Sequence, residues 1–331
     1  MDVQFLLRIS CFLLIGVTLG EAYFIVRDGP QDAKPKKPII FVIGADGLVG
    51  RTAVSALSSM HGKSVEIRAG VRNPAKAKRL ESLTGVTVVQ AELGKKARLR
   101  KLFEDVNAVY IISSGNDVED RAQCAIDTAT AAKDAGVEYI LLYSLAVAER
   151  PDTIFGKQHK QIETAVSKLG VPYTILRLPL LVDNLLAHRT SIKNMSTIYW
   201  PARPNASFTP VVTKDASIAA SFILASPKKH VGKIYTIVSD RVTYSEIADA
   251  FTKALGRHVG YVRISYKDAK AFLQKHRFSK IRAEAIMEMY RLVDAGSCVT
   301  NRKSLNDFSN ITGQKPTKVR SWINKHTFLF K

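Results

Sequence analysis

The sequence predicts an α/β fold, a doubly wound parallel sheet with a smaller α/β carboxyl-terminal lobe. Three observations carry this expectation. Short runs rich in Ile, Val and Leu alternate with segments of helical periodicity through the first half of the chain. The first run, Lys37-Pro-Ile-Ile-Phe-Val-Ile43, stops at three glycines spaced three residues apart: Gly44, Gly47 and Gly50. The composition, 46% hydrophobic and 24% charged over 331 residues, suits a folded chain with a large core.

Each glycine has a physical task in such a turn. Gly44 lets the chain bend sharply out of the strand. Gly47 leaves room for a pyrophosphate to approach the backbone, and Gly50 lets the following helix pack closely on the sheet. The helical pattern is clear from Thr52-Ala-Val-Ser-Ala-Leu57. Its N-terminus would offer N–H groups and a positive dipole end to phosphates. The alternative is a purely structural strand-to-helix turn.

Ser64 to Val71 reads as a second strand, and the residues after it bear on cofactor choice. An NAD site wants a carboxylate there for the ribose 2′-hydroxyl, and an NADP site wants cations for the 2′-phosphate. Here Arg72 comes next, with Lys76, Lys78 and Arg79 beyond it. A guanidinium matches a phosphate bidentately, which favours NADP(H) over NAD(H). Val86 to Leu93 is a third strand carrying Glu92 at its end, where an adenine amino group would lie. A short helix at Leu99–Phe103 precedes a fourth strand, Ala108-Val-Tyr-Ile-Ile112, with Ser113 and Ser114 in the loop at its carboxyl end. Ligands of open sheets sit outside those ends, so both serines are candidates for the cavity beside the nicotinamide. A helix at Arg121–Ala135 and a fifth strand from Glu138 to Ser144 come after it.

In the second half, Gln158 to Leu169 is amphipathic and Pro172 to Arg177 reads as a sixth strand, from which Leu178 to Asn184 carries the chain to the cleft. Phe208 to Val212, Lys233 to Val238 and Gly260 to Ile264 are further strands. Helices are expected near 215–224, 244–251 and 319–325, and Ala269 to Leu292 reads as helical, mixed in charge and part of the lobe over the cleft. Leu329 and Phe330 are expected to pack back on the sheet.

The amino end differs from the rest. Residues 1–22 resemble a secretory signal peptide, with an apolar core from Ile9 and small residues at Gly20 and Ala22. An uncleaved membrane anchor within residues 5–26, or a hydrophobic extension on a cytoplasmic protein, are the alternatives. Residues 23–36 read as a linker. Residues 37–180 form the expected nucleotide-binding domain and 181–331 a substrate or partner lobe interleaved with its sheet. The secretory pathway or a membrane is thus the expected location, and the cytoplasm the alternative. The formal charge of +20 favours anionic partners. No zinc-finger spacing, basic region with heptads or aromatic RNA-binding strand is present, which argues against nucleic acid. The three cysteines, Cys11, Cys124 and Cys298, lie far apart and have no metal-ligand spacing.

Taken in order, several of these pieces resemble the NmrA-like branch of the atypical short-chain dehydrogenase/reductase superfamily. They are Gly44-x-x-Gly47-x-x-Gly50, Val71-Arg-Asn-Pro74 with Lys76, Val88-Val-Gln-Ala-Glu92 and Ala131-Ala-Lys-Asp-Ala-Gly-Val137 leading to Ser144. Lys160-Gln-Ile-Glu163, Gly170-Val-Pro-Tyr-Thr-Ile-Leu-Arg177-Leu-Pro179 and Asp183-Asn184 continue the series. The resemblance implies a Rossmann-type domain that binds NADP(H). Gly44, Asp46, Gly47, Leu48, Val49 and Gly50 would form the pyrophosphate turn, Arg72 and Lys76 would meet the 2′-phosphate, and Lys160 would lie near the nicotinamide ribose. The family usually has Asp at the Glu92 position.

Typical members of the superfamily use a Tyr-x-x-x-Lys pair with a Ser at the end of the fifth strand, the lysine lowering the tyrosine pKa so that the phenol can pass a proton. Ser144 has that context, but Phe155-Gly-Lys-Gln-His159 stands where the pair belongs. Tyr266-x-x-x-Lys270 fits the pattern by coincidence, deep in the second half. His159 and Lys160 are the remaining candidates to supply a proton. The leading expectation is an NADP(H)-dependent oxidoreductase acting on a small quinone-like or carbonyl substrate. The alternative is a non-catalytic NADP(H) sensor that regulates a partner, and a basic nucleic-acid or membrane-surface protein is a third.

Overall fold

The computed structural model describes residues 37–113, 120–297 and 304–331. The expected amino-terminal signal or anchor, the linker before Lys37 and Ser114 lie outside the described residues.

Strands and helices alternate as the apolar runs require. In chain order the first half contains β1 (Ile39–Ile43), α1 (Leu48–His61), β2 (Glu66–Val71), α2 (Lys78–Glu81) and β3 (Val86–Gln90). It continues with α3 (Lys96–Leu102), β4 (Ala108–Ile111), α4 (Arg121–Asp134), β5 (Tyr139–Leu145), α5 (Ile154–Ser167) and β6 (Tyr173–Leu178). The second half adds α6 (Arg189–Met195), β7 (Thr197–Trp200), β8 (Ser207–Phe208), α7 (Thr213–Ala225), β9 (Ile234–Thr236) and β10 (Val242–Thr243). It ends with α8 (Tyr244–Leu255), β11 (Gly260–Arg263), α9 (Tyr266–Lys275), α10 (Lys280–Asp294), α11 (Asp307–Thr312) and α12 (Val319–His326).

Seven strands make one parallel sheet in the order β3-β2-β1-β4-β5-β6-β9. Successive side chains on a strand face opposite ways, and this sorts the core into two layers. Ile40, Val42, Tyr139, Leu141 and Tyr143 lie on the face covered by α1, α2, α7 and α11. Ile39, Phe41, Ile43, Ile140 and Leu142 lie on the other, against α3, α4 and α5. Because both faces are covered, β1 and β4 are buried at every position.

Chain order runs outward from β1 to β3 and then returns to β4 beside β1. This reversal opens a crevice beyond the carboxyl ends of β1 and β4, where ligands bind in such sheets. Residues after 180 both complete the sheet and build a second core. β9 pairs with β6 at the sheet edge, and α7 packs on the α1 face. The second core holds Phe208, Tyr244, Phe251, Trp322 and Phe330, with the small pairs β7–β11 and β8–β10 beside it.

Two expectations need correction here, and a third is resolved in more detail. The Ala269–Leu292 segment is two helices, α9 and α10. Arg277 adopts a left-handed φ of 66°, and the Ser279 side chain accepts from Arg282 N to start a new helix. The break turns Phe278 and Arg282 toward the cleft. Phe208 to Val212 holds only the short β8, followed by a single bridge from Leu181 to Val211. Phe330 packs edge-on against Phe251 of α8, ring centroids 4.7 Å apart, and so joins the second core, not the sheet. Among the described residues no helix is long and apolar enough to cross a membrane.

Candidate functional site

The turn after β1 is shaped by its glycines. Gly44 has φ +84°, a left-handed conformation, and a Cβ there would lie 2.6 Å from the carbonyl oxygen of Ile112 beyond β4. Gly44 N and Ala45 N both donate to Gly70 O, which ties the turn to β2. α1 starts at Leu48, four residues before its periodicity is obvious. Gly47 caps it in an extended conformation, so the cap places no side chain over the first-turn N–H groups. A Cβ on Gly50 would come within 2.2 Å of Gly44 O and 2.7 Å of Ala45 Cα. Gly50 therefore serves the closure of this turn, where sheet packing was expected.

A groove of about 390 Å³ runs over the strand ends from this turn. Gly44, Asp46 and Gly47 line it from the turn, Arg72 from β2, Glu92 from β3, Ser113 from β4 and Arg121 from α4. Arg72 Nε donates to Asp46 Oδ2 at 2.8 Å. Its carbonyl accepts from Gln90 Nε2 at 3.5 Å, and Gln90 Oε1 accepts in turn from Arg98 at 3.2 Å. Lys76 is exposed and does not line the groove. Leu48 is exposed, and the Val49 side chain is in the core beneath α1, so neither side chain lines the groove.

A second cavity, about 470 Å³, lies between the sheet ends and the carboxyl-terminal lobe. Its walls are mostly apolar and include the rings of Tyr143, Phe155, Trp200, Phe208, Tyr244 and Tyr290. Trp200 and Tyr290 meet edge to face, centroids 4.9 Å apart, and His188 packs on the other side of Trp200 at 4.9 Å. Asn184 lines the cavity from the segment after β6. Phe155 occupies the place of the missing tyrosine and faces this chamber.

His159 also faces the chamber but is almost fully buried. Burial, helped by the positive charge of Arg121, pushes its pKa down to about 3, so near neutral pH the imidazole carries no charge. Burial likewise holds His188 down, at about 4, and raises the Tyr143 phenol to about 12. Ser144, one residue on, points to the opposite face of β5. Its hydroxyl donates to Glu163 Oε1 at 2.6 Å and lies 3.5 Å from His159 Nδ1. Glu163 in turn pairs bidentately with Arg177, at 2.9 and 2.7 Å, in a buried network. Ser144 thus helps pin α5 to β5 and β6, and it lines neither cleft. Lys160 is exposed and lines neither cleft. Tyr266 donates to Asp294 and Lys270 pairs with Glu284, which makes both structural parts of the lobe.

Among the described residues, the groove and the chamber share Ser113 and Arg121. Ser113 is 3% exposed, and its Oγ has no hydrogen-bond partner among the described residues. The Arg121 guanidinium lies over the Phe155 ring, 5.0 Å from its centroid. Motif and spacing did not single out Arg121 or Tyr143. Their signals were present: an arginine as the first residue of a helix that comes after a strand-end loop, and a tyrosine one position before Ser144 on a strand of period two. The groove suits a dinucleotide, because Gly44 and Gly47 bring the backbone to its surface and Arg72, held by Asp46, stands at its rim. An apolar, planar molecule fits the chamber. Among the described residues no cluster of side chains could hold a metal ion.

The sequence model described as the NmrA-like family matches residues 36–323. Quinone oxidoreductase 2 of Escherichia coli (strain K12) is 31% identical over 237 residues, 71% of this chain and 81% of the relative. The solved structure of an NADPH-dependent quinone oxidoreductase from Escherichia coli, complexed with NADPH, is similar with a TM-score of 0.76 and 27% identity, covering 87% of this chain and 99% of that one. Triphenylmethane reductase from Citrobacter sp., complexed with NADP(H), is similar with a TM-score of 0.76 and 26% identity, over 86% of this chain and 99% of that one.

Proposed function

The chain belongs to the NmrA-like family, and from that premise we propose that it is an NADP(H)-dependent oxidoreductase whose acceptor is a small, planar, quinone-like molecule. The observation that carries this reading is the meeting of a dinucleotide-shaped groove with an aromatic-walled chamber at Ser113 and Arg121. A reduced nicotinamide bound at that meeting point would supply a hydride.

The chain's own residues bind, orient and exclude water. The first-turn N–H groups of α1 would hold the pyrophosphate, and Arg72 the 2′-phosphate. Glu92 lines the groove at the end of β3, in the place expected for an adenine contact. Tyr143, Phe155, Trp200 and Tyr290 form apolar walls matched to a flat ring. Phe155 cannot relay a proton, and uncharged His159 is a poor acid near neutral pH. An acceptor that gains aromaticity on reduction depends little on acid catalysis, whereas a simple ketone depends on it strongly. This favours quinones over alcohol and ketone pairs, and the 31% identity to quinone oxidoreductase 2 supports the same class.

The test is NADPH oxidation followed by absorbance across a panel of benzoquinones, naphthoquinones and simple ketones. Turnover confined to the quinones is expected. Tight NADPH binding with no turnover on any of them would sink the enzymatic reading and favour a cofactor-sensing protein.

A further inference from the structure

We propose that Ser113 and Arg121 form an oxyanion subsite, which binds a planar aromatic ligand as its phenolate where the groove opens into the chamber. The proposal rests on the preceding reading of the two clefts and adds the charge state of what the chamber holds.

The first observation is Ser113. A buried hydroxyl without a partner is costly, and such groups in folded proteins call for an explanation. This one is 97% buried, lines both clefts and has no partner among the described residues. It can donate to an oxygen atom arriving from either side.

The second observation is the position of Arg121. It is the first residue of α4, a helix of 14 residues, and 8% of it is exposed. Helix N-termini carry partial positive charge and disfavour cations. Burial adds a second penalty and lowers the tendency of this guanidinium to stay charged. An anionic ligand on this side of the cavity would meet both the guanidinium charge and the positive end of the helix.

Among the described residues, the other charged groups on the chamber wall are one arginine and one carboxylate. Arg282 lies over Phe278 at 4.6 Å and lines the same cavity. Asp183 is the one carboxylate among the described residues of the chamber wall, and its Oδ2 already accepts from Thr213 N and Oγ1 at 2.9 and 2.7 Å. His159 and His188 are uncharged at neutral pH, and Tyr143 is a neutral phenol. Asp120, just before α4, and Asp127 within it line the groove and are absent from the chamber wall. An oxyanion attached to an aromatic ring suits this setting, with the ring among the aromatic walls and the oxygen at Ser113 and Arg121. Binding a phenol in this form releases its O–H proton to solvent, with no change in oxidation state. The reduced product of a quinone-type acceptor belongs to this ligand class. A phosphate of the dinucleotide offers the same chemistry from the groove side, so the experiment must separate the two sources.

The probe is 4-nitrophenol, whose phenolate absorbs visible light and whose phenol does not. It is titrated against pH with the full chain in saturating NADP⁺, so no turnover contributes. The bound probe is expected to ionise at least one pH unit lower than the free probe. Arg121→Gln should abolish that shift and weaken phenolate binding about tenfold, Arg121→Lys should keep part of it, and Ser113→Ala should reduce it. NADPH affinity of Arg121→Gln, from cofactor fluorescence, should fall less than its phenolate affinity does. An unchanged probe shift in both Arg121→Gln and Ser113→Ala overturns the proposal. So does a large loss of NADPH affinity with the probe shift intact, which would assign Arg121 to the cofactor phosphates. If Arg121→Gln does not fold, Ser113→Ala and Arg121→Lys decide by the same readout. A chain that binds the phenolate but reduces no quinone keeps the subsite and removes the proposed reaction, so the two failures are distinguishable.

Discussion

Arg72 Nε donates to Asp46 Oδ2 across 2.8 Å and ties the end of β2 to the glycine turn after β1. The arginine side chain is 60% exposed, so this pair contributes only about 0–1 kcal/mol to stability. What the pair does is hold a guanidinium at the groove rim, where a 2′-phosphate would arrive. Arg72→Ala is therefore expected to raise the NADPH dissociation constant at least tenfold, about 1.4 kcal/mol, and to leave that for NADH within about twofold. Fluorescence titration with both cofactors measures this. Retention of the NADPH preference would remove Arg72 from the cofactor site.

The Glu163–Arg177 pair is a structural matter. Both groups are buried, and Ser144 and Glu149 complete their hydrogen bonds. Removing Glu163 leaves the buried Arg177 with only the exposed Glu149 as a partner, so Glu163→Ala should cost about 3 kcal/mol in urea unfolding. Ser144→Ala removes one bond to a carboxylate that Arg177 still holds and should cost about 1–3 kcal/mol. Equal, small effects of both changes would show that the network does not secure α5.

His159 makes stability depend on pH in a definite direction. Its folded pKa is about 3, and an unfolded histidine titrates near 6.5. Between those values the unfolded chain binds a proton that the folded chain does not. The contribution is complete above about pH 6.5 and is lost as pH falls, at about 1.4 kcal/mol per unit. Urea midpoints at pH 7.5 and 5.5 should differ accordingly, and the slope should diminish in His159→Gln. A variant with the parent's slope would show that His159 titrates normally.

Gly50→Ala tests the turn itself. The added methyl would sit 2.2 Å from a backbone oxygen that cannot swing away. Overpacking of this kind costs about 1–3 kcal/mol. Here the strain also falls on the N–H groups expected to hold the pyrophosphate, so cofactor affinity should drop more than tenfold. A variant with normal stability and affinity would mean that the turn adapts freely.

The strand-to-helix turn, the alternation that sorts the strands between two layers, and the arginine after β2 were legible in the sequence because each depends on neighbours within a few residues. Local signals ran out where contacts are distant. Nothing near residue 277 in the apolar pattern announces the break between α9 and α10, because the continuing periodicity hides a single left-handed residue and a serine cap. Phe330 found α8 instead of the sheet because the second core lay nearer in space.

The sequence by itself determined the Rossmann-type sheet and the chemistry of its first turn, through hydrophobic periodicity and glycine geometry. Only the tertiary structure decided what faces the cleft. Ser144 and Tyr143 are adjacent in sequence, yet one joins a buried ion network and the other lines the chamber, because a strand points successive side chains to opposite faces. Ser113 and Arg121 became neighbours of both clefts because β4 returns beside β1 and α4 starts beyond its end. That juxtaposition joins residues from separate elements, and packing of the sheet and its helices brings them together.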